Sequence, residues 1–132
     1  MLPIVLKTIA PLFIMVGGLH LFLGVRADVL LGADLSAGAL SDPVLDSQNR
    51  FYAVSFTIYG VLFFLAAGDL DRYRPMLKAM LWVFFAAGLA RIVSISVVGM
   101  PSLLILVLTA IELILPPVLL VWLKRSKQCH AS

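Results

Sequence analysis

The chain has 132 residues, of which 62% are hydrophobic and only 13% are charged. A soluble domain has about half apolar and about a quarter charged residues, so this composition excludes a soluble enzyme, a disordered tail, a nucleic-acid-binding domain and a disulfide scaffold. The net charge of +3 does not indicate DNA binding, because the basic residues lie at the ends of apolar runs, where they orient membrane helices. We therefore predict an integral membrane protein, and its single cysteine, Cys129, makes no intramolecular disulfide.

Four apolar segments are long enough to cross a bilayer, since a spanning helix needs about 20 residues. They cover residues 4–24, 44–68, 76–98 and 102–123. The first is interpreted as a retained span and not a cleaved signal peptide, because Lys7 lies inside the apolar run and no small-residue cleavage site follows Gly24. The sequence predicts one all-α domain over residues 1–132, an antiparallel four-helix membrane bundle.

The three connections differ in kind. Residues 25–49 form the only long one, and the second helix is predicted to begin within it, outside the membrane near Pro43. Its scattered apolar residues predict that it folds back over the outer mouth of the bundle as a short interfacial helix. Within it, Ser41-Asp42-Pro43 is typical of a helix start, with an N-cap followed by proline at the first helical position. The second connection, residues 69–75, is short and charged. The third is the tight turn Gly99-Met100-Pro101, in which glycine ends one helix and proline opens the next.

The distribution of Lys and Arg predicts that both termini face the cytoplasm. The basic residues assigned to that side are Lys7, Arg72, Arg74, Lys78, Lys124, Arg125 and Lys127. The other side has Arg26 and Arg50 together with four acids, Asp28, Asp34, Asp42 and Asp46. This asymmetry predicts a multi-pass protein of the bacterial inner membrane with its long loop outside.

Four ionisable residues within the spans are candidates for a site: His20, Arg50, Arg91 and Glu112. Such residues are candidate functional sites in a membrane protein. At 1.5 Å of rise per residue, Arg91 lies roughly 10 Å and Glu112 roughly 15 Å below the outer surface. The predicted topology places all four in the outer half or at the midplane, so a compact bundle can direct them into one interior.

Arg91 and Glu112 are expected to form an ion pair, because they lie on helices joined by a tight turn and an unpaired charge in lipid costs several kcal/mol. One interpretation is a structural pair that fixes helix register; the other is a ligand or proton site. Pro116 and Pro117 favour the second, because they free the carbonyls of residues 112 and 113 and predict a kink in the fourth helix.

Two further groups of residues could line a polar cavity. His20 shares a face of the first helix with Gly17 and Gly24, which permit close helix contact or ligand approach. Gln48, Tyr52, Ser55 and Tyr59 form a polar and aromatic stripe on the second helix, which either lines a cavity or joins helices by hydrogen bonds. No other His, Asp or Cys gives metal spacing with His20, so no metal site is predicted.

Several short motifs occur in a recognisable order. They are Gly18-Leu19-His20, Asp46-Ser47-Gln48-Asn49-Arg50-Phe51, Gly88-Leu89-Ala90-Arg91, Gly99-Met100-Pro101 and Ile111-Glu112-Leu113. In this order the chain resembles, over nearly its whole length, a bacterial family of small four-span proteins, domain of unknown function 4345. This family brings no established activity. By architecture the chain is also distantly similar to the DoxX-like group, which implies quinone-dependent oxidoreductase subunits or assembly factors.

Three functions remain open. The first is a non-enzymatic protein that binds a lipid-like or amphipathic ligand, or serves as an accessory or assembly subunit, through an outer-half cavity with polar contacts from His20, Arg50, Tyr52, Tyr59, Arg91 and Glu112. The second is a quinone-binding oxidoreductase subunit, and the third a proton-coupled exporter. We favour the first. We expect no intrinsic cofactor and no nucleic-acid partner. The ligand could be a lipid or a quinone. A second membrane subunit or a homo-oligomer is compatible with the sequence.

Overall fold

A computed structural model describes residues 1–128, so that Cys129 lies outside the described part of the chain. The described residues are helical without strands, which confirms the all-α class. In chain order the helices are α1 (Leu2–Leu23), α2 (Arg26–Leu30), α3 (Ala37–Leu40), α4 (Pro43–Gly68), α5 (Leu70–Val98) and α6 (Leu103–Gln128).

Helices α1, α4, α5 and α6 are long and apolar enough to cross a membrane. Large apolar side chains on them remain exposed, among them Phe22, Val97 and Leu103. Exposed apolar area of this extent suits hydrocarbon and not water. These helices indicate a multi-pass membrane protein, while the N-in/C-in orientation stays a prediction.

The chain divides into two compact units. Residues 3–68 form the first, and the described residues from 69 to 128, with Met1 and Leu2, form the second. We call them the first hairpin, built on α1 and α4, and the second hairpin, built on α5 and α6.

In the first hairpin, α1 and α4 run antiparallel and approach closely at glycines. A Cβ atom added to Gly17 would lie 2.7 Å from the backbone nitrogen of Thr57, and one added to Gly60 would lie 2.7 Å from the carbonyl oxygen of Ala10. Only residues without a side chain allow this spacing, as in other closely packed membrane helices. The glycines therefore allow α1 and α4 to pack closely against each other.

The link between α1 and α4 contains two short helices, α2 and α3, where a single short helix is predicted; its interfacial position stays a prediction. The predicted start of α4 is confirmed. Pro43 is its first residue, and the Asp42 carboxylate accepts hydrogen bonds from the backbone nitrogens of Val44 at 2.8 Å and Leu45 at 3.2 Å. This side chain satisfies two of the donors that the first helical turn leaves open.

The two shorter connections differ from the sequence predictions in their extent. Helix α5 already begins at Leu70, with Asp69 as its N-cap, so most of the predicted connection over residues 69–75 is helical and Pro75 lies inside α5. Gly99 ends α5 as predicted, at a φ of +118°. Pro101, however, does not open α6: the helix begins at Leu103, and the carbonyl of Ser102 accepts the first bond, from Leu106.

Candidate functional site

The predicted ion pair between Arg91 and Glu112 is present in the second hairpin. Arg91 Nε donates to Glu112 Oε2 at 2.8 Å. The Glu112 side chain is 4% exposed and that of Arg91 is 33% exposed. A carboxylate this deeply buried needs a charged or hydrogen-bonding partner, and Arg91 supplies it.

Gly88 explains how α5 and α6 come close enough for this pair. It lies one turn before Arg91, and an added Cβ would stand 3.0 Å from Glu112 Cβ and 3.0 Å from Leu113 Cδ2. The missing side chain lets the backbone of α6 approach α5 at the level of the carboxylate. The spacing between Gly88 and Arg91 thus sets the geometry of the pair.

Arg91 also borders a cavity at the end of this hairpin. The volume is about 260 Å³. Its lining comprises Arg91, Ser94, Ile95, Val98, Gly99, Met100, Pro101 and Ile105. The hydrogen bond that Arg91 makes within the described residues uses Nε, so its two terminal nitrogens, Nη1 and Nη2, remain available as donors. The cavity therefore has hydrogen-bond donors at the end near Arg91 and Ser94, and apolar walls elsewhere.

Pro116 and Pro117 lie inside α6, one turn after Glu112. Pro116 is fully buried. Neither residue has a backbone N–H, so the carbonyls of Glu112 and Leu113 lack their usual helical donors. One turn before Glu112, the buried Thr109 hydroxyl donates to the carbonyl of Ile105 at 2.8 Å. The middle of α6 is thus unusually polar for a membrane helix, and the kink itself stays a prediction.

In the first hairpin, His20 connects α1 to α2. Its Nδ1 lies 2.8 Å from the carbonyl oxygen of Val16, and its Nε2 lies 3.2 Å from Asp28 Oδ1. The other carboxylate oxygen, Asp28 Oδ2, accepts from Asn49 Nδ2 of α4 at 2.7 Å. Both ring nitrogens of His20 face acceptor oxygens. His20 and Asp28 thus join α1, α2 and α4.

Arg50 completes the end of α1. Its Nη1 donates to the carbonyl of Leu21 at 2.6 Å and to that of Phe22 at 3.3 Å, while its Nε donates to Asp46 Oδ2 at 2.8 Å. Asp46 Oδ1 in turn accepts from the backbone nitrogen of Val25 at 3.3 Å. The last carbonyls of a helix lack intrahelical donors and carry partial negative charge, so a guanidinium there is a well-placed C-terminal cap.

These contacts gather the sequence motifs into two clusters, one in each hairpin. The family model for Domain of unknown function (DUF4345) matches residues 1–123. The chain belongs to this family. No curated protein and no solved structure is significantly similar to it. The distant similarity to the DoxX-like group remains a sequence-level interpretation.

The two tyrosines of this DUF4345 chain lie in different surroundings. Tyr52 is 59% exposed, with its ring at an edge-to-face distance of 5.6 Å from that of Phe51. Tyr59 is half-buried among aromatic rings, 6.4 Å from Phe13 and 6.1 Å from Phe63. The predicted polar stripe of α4 therefore divides into an exposed part and an aromatic part.

Sequence reasoning missed the roles of Asp28, Asp46 and Asn49 in this DUF4345 chain, because it used the acids only to assign the orientation. One signal was present, since Asp46 and Arg50 stand four residues apart, the spacing of a helical ion pair. As for metals, no group of three or more His, Cys, Asp or Glu side chains capable of holding an ion lies within residues 1–128.

Proposed function

We propose that this DUF4345 chain is a small non-enzymatic protein of the bacterial inner membrane that binds a lipid-like or amphipathic ligand, or a partner that presents such a group, in the cavity of the second hairpin. The observation that carries the proposal is the position of Arg91. Glu112 holds its Nε at 2.8 Å, while the guanidinium also borders a mainly apolar cavity of about 260 Å³. Apolar walls with a few placed polar groups are typical of small-molecule sites.

The first hairpin supports the proposal in a different way. His20, Asp28 and Asn49 form one network, and Arg50 with Asp46 fastens the end of α1. These groups hold each other and the loop in place. We therefore assign ligand contact to Arg91 and a positioning role within the first hairpin to His20 and Arg50.

The ion pair also weighs against proton-coupled cation export. A carboxylate that exchanges a cation for protons works best without a permanent cation beside it, because the nearby positive charge favours its ionised form and repels the substrate. Glu112 has the Arg91 guanidinium at 2.8 Å. Quinone binding stays compatible, since a quinone carbonyl accepts hydrogen bonds of the kind Arg91 donates.

Native mass spectrometry of the detergent-purified chain, with an organic extract analysed in parallel, tests the proposal. The informative variant is Ile95→Trp, which fills the cavity and leaves the ion pair untouched. The matched control is Val93→Trp, which places the same ring on α5 at a residue that is 61% exposed and not part of the cavity lining.

We expect a small molecule bound in stoichiometric amount by the unaltered chain and by Val93→Trp, and lost in Ile95→Trp. The extract then names the ligand class and separates a lipid from a quinone. Equal occupancy in the two variants would refute the cavity as the site. A bare chain that purifies only with another polypeptide would instead support an accessory or assembly role.

A further inference from the structure

We infer that the cavity of the second hairpin selects an uncharged ligand whose buried polar end is a hydrogen-bond acceptor, such as the carbonyl of a ketone, an ester or an amide. The inference rests on the proposed function and specifies the chemistry of the same site. It follows from the donors that border the cavity, from the balanced charges of Arg91 and Glu112 and from the volume of the cavity.

The polar side chains in the lining are those of Arg91 and Ser94. A guanidinium has N–H groups and no acceptor, and Arg91 commits Nε to Glu112 while Nη1 and Nη2 remain available. The Ser94 hydroxyl, one turn further along α5, can both donate and accept. A ligand placed beside Arg91 must therefore offer lone pairs, and an ammonium group, which only donates, does not fit.

The charge around Arg91 is already balanced. Between Lys78 and Lys124 the sequence contains two ionisable side chains, Arg91 and Glu112. They neutralise each other at 2.8 Å. The next charges along α5 and α6 are more than ten residues away, about 18 Å or more at 1.5 Å per residue.

This neutrality distinguishes the cavity from an anion site. A carboxylate ligand would place a second negative charge on a guanidinium that Glu112 has already compensated, and the stretch between Lys78 and Lys124 would then carry a net charge in a low-dielectric region. An ammonium ligand would make the net charge positive. An uncharged acceptor accepts hydrogen bonds from the free N–H groups of Arg91 and leaves the Arg91–Glu112 pair without a net charge.

The volume of the cavity determines how large the probe molecules can be. A volume of about 260 Å³ equals roughly nine water molecules at their volume in the liquid, which accommodates a ligand portion of about eight or nine heavy atoms. Three eight-carbon molecules are matched in length and differ in charge: 2-octanone, octanoate and octylammonium.

The experiment measures binding of these probes at pH 7.5 to the full chain in phosphatidylcholine nanodiscs by ligand-observed saturation-transfer NMR. Empty nanodiscs and the Ile95→Trp variant correct for partition into lipid. We expect 2-octanone to bind about tenfold or more tightly than either charged probe. Octanoate binding as tightly as the ketone would overturn the inference.

Glu112→Gln provides a second, opposite test. The glutamine keeps the shape of the side chain but leaves Arg91 uncompensated, so the affinity for octanoate should rise about tenfold relative to that for 2-octanone. An unchanged ratio of the two affinities in a monodisperse Glu112→Gln protein would also overturn the inference. If that variant aggregates, the ratio in the unaltered chain decides.

The outcomes separate this inference from the proposed function. If all three probes bind equally well and Ile95→Trp abolishes their binding, the cavity is a ligand site but does not prefer uncharged acceptors. This outcome refutes the inference and supports the proposed function. If Ile95→Trp leaves the signals of all three probes unchanged, the cavity is not the ligand site. This outcome refutes both the proposed function and the inference.

Discussion

The close approach of α1 and α4 allows a sharp prediction on two adjacent glycines. A Cβ added to Gly17 would overlap Thr57 Oγ1 and would lie 2.7 Å from Thr57 N and 2.8 Å from the carbonyl oxygen of Ala53. A Cβ added to Gly18 meets nothing within 4 Å. Gly17→Ala should therefore destabilise the first hairpin, and Gly18→Ala should not.

The magnitude follows from those distances. Non-bonded heavy atoms settle at about 3.5–4.0 Å, so a Gly17→Ala protein must separate the two backbones by roughly 0.7 Å or more. The Thr57 side chain can rotate away, but its backbone nitrogen and the Ala53 carbonyl cannot. Overpacking of this kind costs about 1–3 kcal/mol. Both substitutions make the same change in intrinsic helix propensity, so their difference isolates the helix contact.

Reversible unfolding by SDS in mixed micelles, followed by far-UV circular dichroism, measures this difference. Gly17→Ala should unfold at a lower SDS fraction than the unaltered chain, and Gly18→Ala at the same or a slightly higher one. A difference between the two variants below about 0.5 kcal/mol, smaller than any overpacking penalty, would refute the close contact between α1 and α4.

Three further substitutions test the polar contacts. Arg91→Leu leaves the Glu112 carboxylate buried without its partner and should cost about 3–5 kcal/mol; the double variant with Glu112→Leu should recover most of that loss in the same SDS titration. Arg50→Leu removes the cap on α1 and its bond to Asp46; because that side chain is partly exposed, the cost should be about 1 kcal/mol, seen as faster hydrogen exchange over residues 21–27. Gly24→Ala should disturb the same segment more strongly, since Gly24 has a φ of +56° and an added Cβ would overlap Asp46 Oδ1; exchange rates like those of the unaltered chain would contradict this.

Much of the second hairpin could be predicted from the sequence. The tight turn at Gly99 connects α5 directly to α6, so counting residues from it is enough to place Arg91 opposite Glu112. Helix starts were equally accessible where a capping residue precedes a proline, as at Asp42. The positions of helix starts and of this ion pair can be predicted because they depend on neighbouring residues and on short connections.

The network in the first hairpin could not be predicted in the same way. Residues 24–42 lie between α1 and α4, and apolar periodicity does not say where a loop of this length folds back. The contacts of Asp28 with His20 and Asn49 depend on that path. The cavity could not be predicted from the sequence for a related reason. Its wall includes Met100 and Pro101, whose positions depend on how α5 ends and α6 begins.

The cap on α1 has a consequence for how the chain is made. Arg50 follows the Leu21 carbonyl that it binds by 29 residues, an interval of about 1.5–6 s at ordinary rates of translation. During that time the end of α1 lacks its final donor, and the turn at Val25 lacks the Asp46 carboxylate. The first helix thus gains its C-terminal cap only after the start of the next long helix has been synthesised.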